Sequence, residues 1–383
     1  MPDMTSASAG AAIALGDPVP RFNAQLITGD GFDLHVYAGR WVVLSFLGAP
    51  ENPRVEQEIA ALSRHAELFG DDHIVVRGVF VSPPHDAAKF AGLCSKAFSF
   101  IADPDGSISR MFGALDMPRT IVLDPMLRAI ANIPWDYPQG HADSVAAVLR
   151  GLPAVEDSAG VPMIAPALIV PRVLDFPLCD FLVQFYEQNG GEDSGFLLDT
   201  EGKTSTVLNY RLKRRHDLVV ALPELRDMIR GQIVRRLLPE LERFFQFQAT
   251  RMDRHIVACY DSALGGHFYR HRDNVNAGAQ HRRFAVTINL NGDYDGCDLV
   301  FPEFGRRAYR APQGGAIVFS CGALHQVTPI TRGRRYAFLA FLYGEADAAR
   351  REANNARLHD NEARYDGTWD RLFAEQAAEE KAA

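Results

Sequence analysis

The segment from His271 to Arg335 constrains this chain more strongly than any other part of its 383 residues. It begins with His271-Arg-Asp273, in a run whose residue types favour an extended strand. Because successive side chains of a strand point to opposite faces, Tyr269, His271 and Asp273 share one face. The segment therefore predicts two metal-binding side chains that converge without the help of a helix.

A third ligand is predicted from a later strand of the same segment. An apolar run ends in Gly322 shortly before His325, and the strand-like run that follows carries Arg335 near its start. Two imidazoles and one carboxylate are the ligand set of non-haem Fe(II) oxygenase sites. The planar guanidinium of Arg335 suits a carboxylate. We therefore predict an iron site formed by His271, Asp273 and His325.

A histidine and an aspartate separated by one residue also arise by chance in a chain with 12 histidines. The pair His141 and Asp143 is such a copy, in a run that predicts a short helix. Side chains two residues apart on a helix do not face each other, so we interpret His141 as a surface residue. The same chance explanation is weaker for His271, because His325 and Arg335 follow it in strand context.

Composition and charge limit the classes of protein that need to be considered. The formal net charge of −8 argues against nucleic acid as a partner. The most apolar segment, 161–171, is too short and too rich in proline to span a membrane, and the first residues lack the basic region of a signal peptide. Five scattered cysteines without a C-x-x-C pair predict buried thiols in a reducing cytoplasm.

The chain divides near residue 155. Before that point, apolar strand-like runs alternate with helical periodicity, which predicts an α/β domain. The strand-like runs are 41–46, 74–81 and 120–124, and the helical run is 54–69.

Beyond the division, a stretch rich in proline and alanine at 151–171 predicts a linker. Helical runs follow at 175–188 and 222–249. From His255 onward the chain is rich in strand-like runs with Gly and Asp turns, which is typical of an antiparallel double-sheet barrel.

Five motifs in the second half support a resemblance to a known family. They are Ile256-Val-Ala-Cys-Tyr260, His271-Arg-Asp273, Val286-Thr-Ile-Asn-Leu-Asn291, Tyr294-Asp-Gly-Cys-Asp-Leu-Val-Phe-Pro302 and His325-Gln-Val-Thr-Pro-Ile-Thr-Arg-Gly-Arg-Arg-Tyr336. With these motifs the region resembles the 2-oxoglutarate/Fe(II) dioxygenases of the prolyl 4-hydroxylase type. The resemblance implies a double-stranded β-helix (jelly roll) in which His271, Asp273 and His325 hold Fe(II). It also implies that Arg335, and not its neighbour Arg334, pairs with the distal carboxylate of 2-oxoglutarate.

The same resemblance suggests further contacts to the cosubstrate. Tyr260 falls where the family places a tyrosine that hydrogen-bonds 2-oxoglutarate; its alternative is a half-buried core tyrosine. Tyr269 and Thr287 are weaker lining candidates, and Asn289 stands where some relatives carry a tyrosine. Asp273 points to hydroxylation, because related halogenases replace that carboxylate with a small residue.

The first half resembles the peroxiredoxins (AhpC/TSA) of the thioredoxin fold through three motifs and the strand at Trp41. The motifs are Gly16-Asp-Pro-Val-Pro-Arg-Phe22, Ile101-Ala-Asp-Pro-Asp-Gly106 and Met117-Pro-Arg-Thr-Ile-Val-Leu-Asp-Pro125. The family places a peroxidatic cysteine at a helix N-terminus just after the first core strand, where its thiolate is stabilised. Here the segment 47–58 contains no cysteine, and a valine or an arginine occupies that place. We therefore expect a retained fold without retained catalysis, serving as a docking or stabilising module.

Three other residues of this half follow from the resemblance. Arg119 matches the activating arginine of the family, with no thiolate to activate. The Met117-Pro118 bond is predicted to be cis. Cys94 is a poor substitute for the missing cysteine, and we interpret it as a core residue.

The resemblance predicts a 2-oxoglutarate- and Fe(II)-dependent dioxygenase that uses O2 to hydroxylate an unactivated C–H bond and releases succinate and CO2. Ascorbate is expected as reductant, and no catalytic side chain is expected beyond the metal site. Two alternatives stay open. One is a sensor or scaffold that binds metal and 2-oxoglutarate without turnover, and the other is a thiol-dependent redox enzyme with an atypical cysteine. We expect the protein to be cytoplasmic.

Substrate specificity lies in loops that the motifs do not cover, so peptidyl proline, a free amino acid and another small metabolite are all compatible. A protein partner of the peroxiredoxin-like domain is also compatible with the sequence. The basic run Lys213-Arg-Arg-His216 either guides an acidic substrate or forms a solvated surface loop, and we favour the loop. The predicted bounds are a disordered lead-in at 1–13, the peroxiredoxin-like domain at 14–152, a linker at 153–164, the dioxygenase domain at 165–345 and a helical or disordered tail at 346–383.

Overall fold

A computed structural model of the protein describes residues 13–136, 140–200, 203–358 and 371–372. The predicted lead-in, apart from Ile13, and most of the predicted tail beyond Leu358 lie outside the described residues. The chain forms two compact units. Unit 1 comprises Met1–Ala165 and Phe301–Arg306, and unit 2 comprises Pro166–Val300 and Arg307–Ala383. Among the described helices, none has the length and apolarity needed to cross a bilayer.

Unit 1 is built on one seven-stranded sheet with helices packed against it. Its strands are β1 (Asn23–Leu26), β2 (Gly31–Asp33), β3 (Trp41–Gly48), β4 (Ile74–Phe80), β5 (Phe98–Ala102), β6 (Arg119–Leu123) and β7 (Ala129–Pro134), and its α-helices are α1 (Pro53–Ser63), α2 (Ser107–Met111) and α3 (His141–Arg150). The strand order is β2-β1-β5-β4-β3-β6-β7, in which β3, β4 and β5 run parallel to one another. This arrangement confirms the predicted α/β, thioredoxin-like architecture.

The central strand β3 is buried along its length, as its apolar sequence predicts. Its one polar side chain, Ser45, is 1% exposed and accepts a hydrogen bond from Thr120 of β6 at 2.9 Å. The adjacent helix α1 begins after Asn52, whose side chain accepts a hydrogen bond from the backbone N–H of Arg54. Burial of the strand and capping of the helix fix the turn between them, where the family expects its peroxidatic cysteine.

Two predictions for unit 1 are wrong. The short helix at 141–150 is confirmed, but His141 is 4% exposed, because α3 turns it inward to meet Glu58 Oε1 at 2.6 Å from its Nδ1. The peptide bonds of the described residues are all trans, including the bond before Pro118. The Pro118 carbonyl there accepts a hydrogen bond from the backbone N–H of Trp135, which continues the pairing of β6 with β7.

Unit 2 is built around two large antiparallel sheets, with two further two-stranded sheets among its described residues. Its strands are β8 (Ala167–Val170), β9 (Glu192–Asp193), β10 (Phe196–Thr200), β11 (Lys203–Val207), β12 (Lys213–Arg214), β13 (His216–Val219), β14 (Arg251–Asp261), β15 (His267–His271), β16 (Phe284–Asn289), β17 (Asp295–Gly296), β18 (Leu299–Val300), β19 (Ala308–Tyr309), β20 (Ala316–Ser320), β21 (His325–Val327), β22 (Ile330–Arg332) and β23 (Arg334–Tyr343). The major sheet has the order β8-β20-β16-β23-β14-β13-β9, and the minor sheet has the order β12-β15-β21-β18-β19. This double-sheet arrangement confirms the predicted jelly roll.

The two sheets face each other across a set of polar side chains. The guanidinium of Arg215 lies 5.8 Å from the ring centroid of Tyr260 on β14 and 6.0 Å from that of Phe268 on β15. One residue therefore reaches both sheets and identifies their inner faces.

The outer face of the major sheet is covered by helices. These are α4 (Phe176–Asn189), α5 (Pro223–Arg236) and α6 (Leu238–Phe245), while α7 (Glu345–Asn354) follows the last strand. Apolar side chains of α4, α5 and α6 form one buried core with those of β14, β16, β20 and β23. This core leaves the opposite, inner face of the sheet for polar residues.

The helix predicted at 222–249 is divided in two. Helix α5 ends at Arg236 and α6 begins at Leu238, with Pro239 in its first turn. Proline lacks the N–H that would continue the helix and disfavours a helical conformation in the residue before it, so the break lies where proline requires it.

We expect the stability of unit 2 to fall below pH 6.5 because of His255. This side chain is 7% exposed, and burial lowers its pKa to about 4, with a further contribution from Arg226. Between about pH 6.5 and pH 4 the unfolded chain binds a proton that the folded chain does not, so the unfolding free energy decreases as the pH falls.

In urea unfolding measured from pH 7 to pH 5, the unfolding free energy of His255→Leu should depend less steeply on pH than that of wild type. The difference in slope should correspond to the uptake of about one proton. His85→Leu is the matched control, because the His85 side chain is 80% exposed. An identical pH dependence in wild type and His255→Leu would contradict the prediction.

Candidate metal centre

The three predicted ligands are brought together by the minor sheet. His271 is the last residue of β15 and pairs directly with His325, the first residue of β21. Asp273 follows β15 by two residues, and its backbone N–H donates to the carbonyl of Cys321 at 3.0 Å. Strand pairing therefore positions the two imidazoles, and one backbone hydrogen bond holds the loop that carries the carboxylate.

The ligand atoms of His271, Asp273 and His325 all lie within 4.8 Å of one another. The His271 Nε2 is 3.5 Å from Asp273 Oδ1, and the His325 Nε2 is 3.4 Å from Asp273 Oδ2. The carboxylate therefore lies between the two imidazoles, and each Nε2 faces a different carboxylate oxygen.

Both imidazoles are oriented by backbone carbonyls. The Nδ1 of His271 lies 2.7 Å from the Tyr269 carbonyl, and the Nδ1 of His325 lies 3.1 Å from the Ala323 carbonyl. Since a carbonyl oxygen only accepts, each Nδ1 carries a proton, and each Nε2 faces the Asp273 carboxylate. A hydrogen bond from the second ring nitrogen is the usual arrangement of a metal-binding histidine.

Aromatic rings hold the same two histidines from the side. Phe268 stacks on His271 with ring centroids 3.5 Å apart, and Phe319 meets His325 edge-on at 4.6 Å. The imidazoles are 4.2 Å apart. Packing on these rings limits rotation of the ligands before any metal binds.

The protonation states also suit a metal. Burial alone would raise the pKa of Asp273, but His325, a hydrogen bond from His271, and Arg282 lower it below the ordinary range. Burial lowers the pKa of His325 to about 4, and His271 adds to the effect. At neutral pH the centre therefore offers an ionised carboxylate and a neutral imidazole, the forms that bind a cation.

The centre offers two imidazole nitrogens and one carboxylate oxygen, which the protein orients before a metal binds. This ligand set fits a divalent iron ion that keeps coordination positions open for other ligands. The Asp273 carboxylate forms its ion pairs with the two histidines, with no lysine or arginine within 4.0 Å among the described residues. A metal ion would therefore not have to displace a competing cation.

Arg335 lies on the inner face of β23 and is 4% exposed. Its Nε donates to Asn289 Oδ1 and its Nη2 to Thr287 Oγ1, both at 3.0 Å, and its Nη1 donates to the Cys297 carbonyl at 3.3 Å. Arg334, by contrast, is on the exposed face, where it pairs with Asp261 at 2.7 Å. Strand alternation thus separates the two arginines as predicted.

Of the other residues predicted to contact the cosubstrate, three are buried beside Arg335 and one is exposed. Tyr260 pairs with Arg335 across β14 and β23, is 2% exposed, and has its ring 5.7 Å from the Arg335 guanidinium. Thr287 and Asn289 are also buried and contact Arg335. Tyr269 is 41% exposed, and its backbone carbonyl, rather than its ring, orients His271.

The interpretation of Lys213-Arg-Arg-His216 as a solvated surface loop is wrong. Lys213 is 4% exposed and Arg215 is 7% exposed, because β12 and β13 turn both side chains toward the inner faces of the two sheets. The signal that sequence reasoning missed is the alternation of Lys213, Arg215 and Asp217, which share one face of an extended chain.

The thiols agree only partly with the prediction of buried residues. Cys179, Cys259, Cys297 and Cys321 are buried, whereas Cys94 is partly exposed. Burial raises the pKa of Cys94, which disfavours its reactive thiolate. Val55, in the first turn of α1 where a peroxidatic cysteine is expected, is fully buried, and Arg119 donates to the Met117 carbonyl at 3.2 Å.

Comparison with known families assigns the two regions. Residues 15–130 match the AhpC/TSA family, and residues 255–343 match the 2OG-Fe(II) oxygenase superfamily. The chain therefore combines a region similar to AhpC/TSA proteins with a region similar to 2OG-Fe(II) oxygenases.

Some proteins are similar to parts of this chain. A PKHD-type hydroxylase of Synechococcus sp. is 29% identical over 133 residues, which is 30% of this chain and 58% of the relative. One from Nitrobacter winogradskyi is 39% identical over 82 residues, which is 19% of this chain and 36% of the relative. The chain thus spans little more than half the length of the first relative. A prolyl hydroxylase in complex with a hypoxia inducible factor peptide, from Trichoplax adhaerens, is 18% identical with a TM-score of 0.40, over 48% of this chain and 86% of that one.

Asp273→Ala should abolish tight binding of one divalent ion. Loss of a direct ligand should lower metal affinity by at least the roughly 10- to 100-fold that follows loss of an outer-shell partner. Anaerobic titration of the full chain with Fe(II) measures this change.

Asp143→Ala is the matched control for that titration, since it removes the carboxylate of the chance His141-Ala142-Asp143 copy. The Asp143 side chain is 67% exposed and pairs with His65 at 3.0 Å. Equal loss of metal in both variants would contradict a site at His271, Asp273 and His325.

Proposed function

We propose that this protein is a 2-oxoglutarate- and Fe(II)-dependent dioxygenase that hydroxylates an unactivated C–H bond of its substrate. The observation that carries the proposal is the set of three ligand atoms within 4.8 Å of one another on the minor sheet, together with a buried arginine on the inner face of the major sheet. When bound, Fe(II) and 2-oxoglutarate would supply the activation of O2, with release of succinate and CO2. The protein binds and orients the reactants, and it needs no general base of its own.

Arg335 is the proposed partner of the distal carboxylate of 2-oxoglutarate. Its guanidinium is buried, and its hydrogen bonds go to neutral groups: an amide, a hydroxyl and a carbonyl. Among the described residues it forms no ion pair within 4.0 Å, so its positive charge lacks a counter-ion. A buried guanidinium of this kind is suited to an incoming carboxylate, which it recognises through paired hydrogen bonds.

Asn289 and Thr287 are proposed as positioning residues for Arg335. The Asn289 Oδ1 accepts from Arg335, and its Nδ2 donates to the Ala311 carbonyl at 2.6 Å. Its amide is therefore engaged on both sides and holds the guanidinium in place. Tyr260, beside the same guanidinium, is the proposed hydrogen-bond donor to 2-oxoglutarate.

His271 and His325 are proposed to bind Fe(II) through Nε2, and Asp273 through its carboxylate. The backbone carbonyls at Tyr269 and Ala323 hold the imidazoles in the required tautomer. Ascorbate is the proposed reductant that returns the metal to Fe(II) after uncoupled cycles.

We propose that residues 14–152 form a non-catalytic module that docks a protein partner or stabilises the chain, with residues 165–345 as the oxygenase domain. Unit 1 has one cysteine, Cys94, and burial raises the pKa of its thiol. A thiol without a stabilised thiolate is poorly suited to attack peroxide. These properties argue against a thiol-dependent redox enzyme.

Arg335→Met should raise the KM for 2-oxoglutarate by at least roughly thirtyfold, since truncating one partner of a buried charged pair costs about 2–5 kcal/mol. The measurement is succinate formation by the full chain with Fe(II) and ascorbate, as 2-oxoglutarate is varied.

Arg334→Met is the matched control, because it removes the neighbouring guanidinium from the exposed face, where ion pairs contribute little. A similar KM in both variants would sink the proposed role of Arg335. Tight binding of Fe(II) and 2-oxoglutarate without any succinate would favour the sensor over the enzyme.

A further inference from the structure

Two basic residues, Lys213 and Arg215, are buried against the inner-face ring of Phe268 beside the candidate metal centre, and Arg254 acts electrostatically on Lys213. Lys213 belongs to β12, Arg215 follows it, and Arg254 belongs to β14; we call these three residues the inner basic cluster. The metal ligands and Arg335 do not account for them. Their charge therefore needs a separate explanation.

Lys213 is a buried basic side chain without an acidic partner within 4.0 Å among the described residues. Its Nζ donates to Ser194 Oγ at 2.6 Å and to the Gly195 carbonyl at 2.5 Å, and it lies 4.8 Å from the Phe268 ring centroid. Its contacts in the described part of the chain include no ion pair within 4.0 Å. Two neutral acceptors leave one of the three ammonium protons for a further partner.

Asp217 does not neutralise Lys213, because it is committed to Arg215. The Nε and Nη2 of Arg215 donate to the two oxygens of Asp217, each at 2.6 Å. Ser194 also donates to this carboxylate at 2.5 Å. The bidentate pair balances one cation with one anion, and Lys213 remains in excess.

Arg254 adds a second unbalanced charge. It is half-buried and has a left-handed backbone, with φ of 55°, at the irregularity where β14 shifts register against β23. Its guanidinium forms no hydrogen bond or ion pair with the described residues. Side chains other than glycine rarely adopt this conformation, and such residues occur frequently at functional sites.

Asp253, which precedes Arg254 along the chain, is already shared among other basic residues. Asp253 lies 3.0 Å from His281 and 3.5 Å from Arg351, with Arg282 at 3.9 Å. Burial, more than any neighbouring charge, lowers the pKa of Arg254 to about 10; Arg282 adds to the effect, and Asp253 and Asp217 oppose it.

The cluster is close to the metal ligands through Phe268. One ring contacts the Lys213 ammonium at 4.8 Å and stacks on His271 at 3.5 Å. Burial lowers the pKa of Lys213 well below its usual value, Arg215 and Arg254 lower it further, and the charges of Asp217 and Asp273 oppose the change. Lys213 therefore lies within electrostatic reach of both Arg254 and the candidate metal ligand Asp273.

We infer that the molecule oxidised at this centre carries a carboxylate, which Lys213 and Arg254 bind while the metal side of the site holds the carbon to be hydroxylated. This inference rests on the proposed function and specifies its substrate class. An anion here would supply the missing counter-charge for two cations, and Arg335 would remain free to bind 2-oxoglutarate. A free acid and an acidic side chain of a peptide offer the same group.

Binding of propionate to the full chain, compared with the uncharged propionamide, tests the inference directly. The protein is loaded with Zn(II), which is redox-inert, and with saturating 2-oxoglutarate, so that the Arg335 site is filled. Wild type should bind propionate at least tenfold more tightly than propionamide by calorimetry or ligand-observed NMR. Lys213→Met and Arg254→Met should each lose about tenfold in propionate affinity.

Two further variants separate a binding role from a structural one. Lys213→Arg keeps the charge and should keep the preference for propionate. Arg214→Met removes the adjacent basic residue, whose guanidinium lies over the Tyr210 ring at 4.7 Å, and should leave the preference unchanged. Equal propionate affinity in wild type and Lys213→Met, or no preference over propionamide in wild type, would overturn the inference.

The same proteins distinguish this inference from the proposed function. An equal loss of 2-oxoglutarate affinity in Lys213→Met would assign the cluster to the cosubstrate and overturn the inference. Propionate preference in a wild-type protein that releases no succinate with Fe(II) would support the anion site and refute the enzyme. Replacing propionate by a blocked peptide with one glutamate, against its glutamine counterpart, shows whether the free acid or the peptide binds more tightly.

Discussion

The pairing of β15 with β21 is the interaction on which the candidate centre depends. It places His271 directly opposite His325, and the chain that leaves β15 brings Asp273 to both imidazoles. A slip of one residue in either strand would turn its histidine to the opposite face. The apolar core on the outer side of the major sheet specifies the register of its strands, so that polar residues collect on the inner face.

Buried positive charge without matching carboxylates is the second constraint. Arg335 donates to neutral groups, and Lys213 has two neutral acceptors. Burying an unpaired charge costs free energy, and a bound ligand of opposite charge offsets that cost. Two separate cationic positions next to one metal centre fit two anionic ligands, a cosubstrate at Arg335 and a carboxylate substrate at Lys213.

Much of the centre could be predicted because strand periodicity and spacing encode it. His271, Asp273 and His325 follow from alternation within one strand and the position of another. The buried state of Lys213 was harder to recognise, because a basic run is common on surface loops and only its alternation with Arg215 and Asp217 indicates a strand that faces a barrel interior. The burial of His141 was not predicted because its partner, the partly buried Glu58, lies on a different helix, far away in sequence.

Simultaneous measurement of O2 uptake and succinate release by the full chain tests most directly whether the centre turns over. We predict that both require Fe(II) and 2-oxoglutarate together, and that they appear in equal amounts. Metal and 2-oxoglutarate bound in equal proportion without O2 uptake would contradict the enzyme and favour a sensor. Uptake of O2 that does not depend on 2-oxoglutarate would contradict both the proposed enzyme and the sensor.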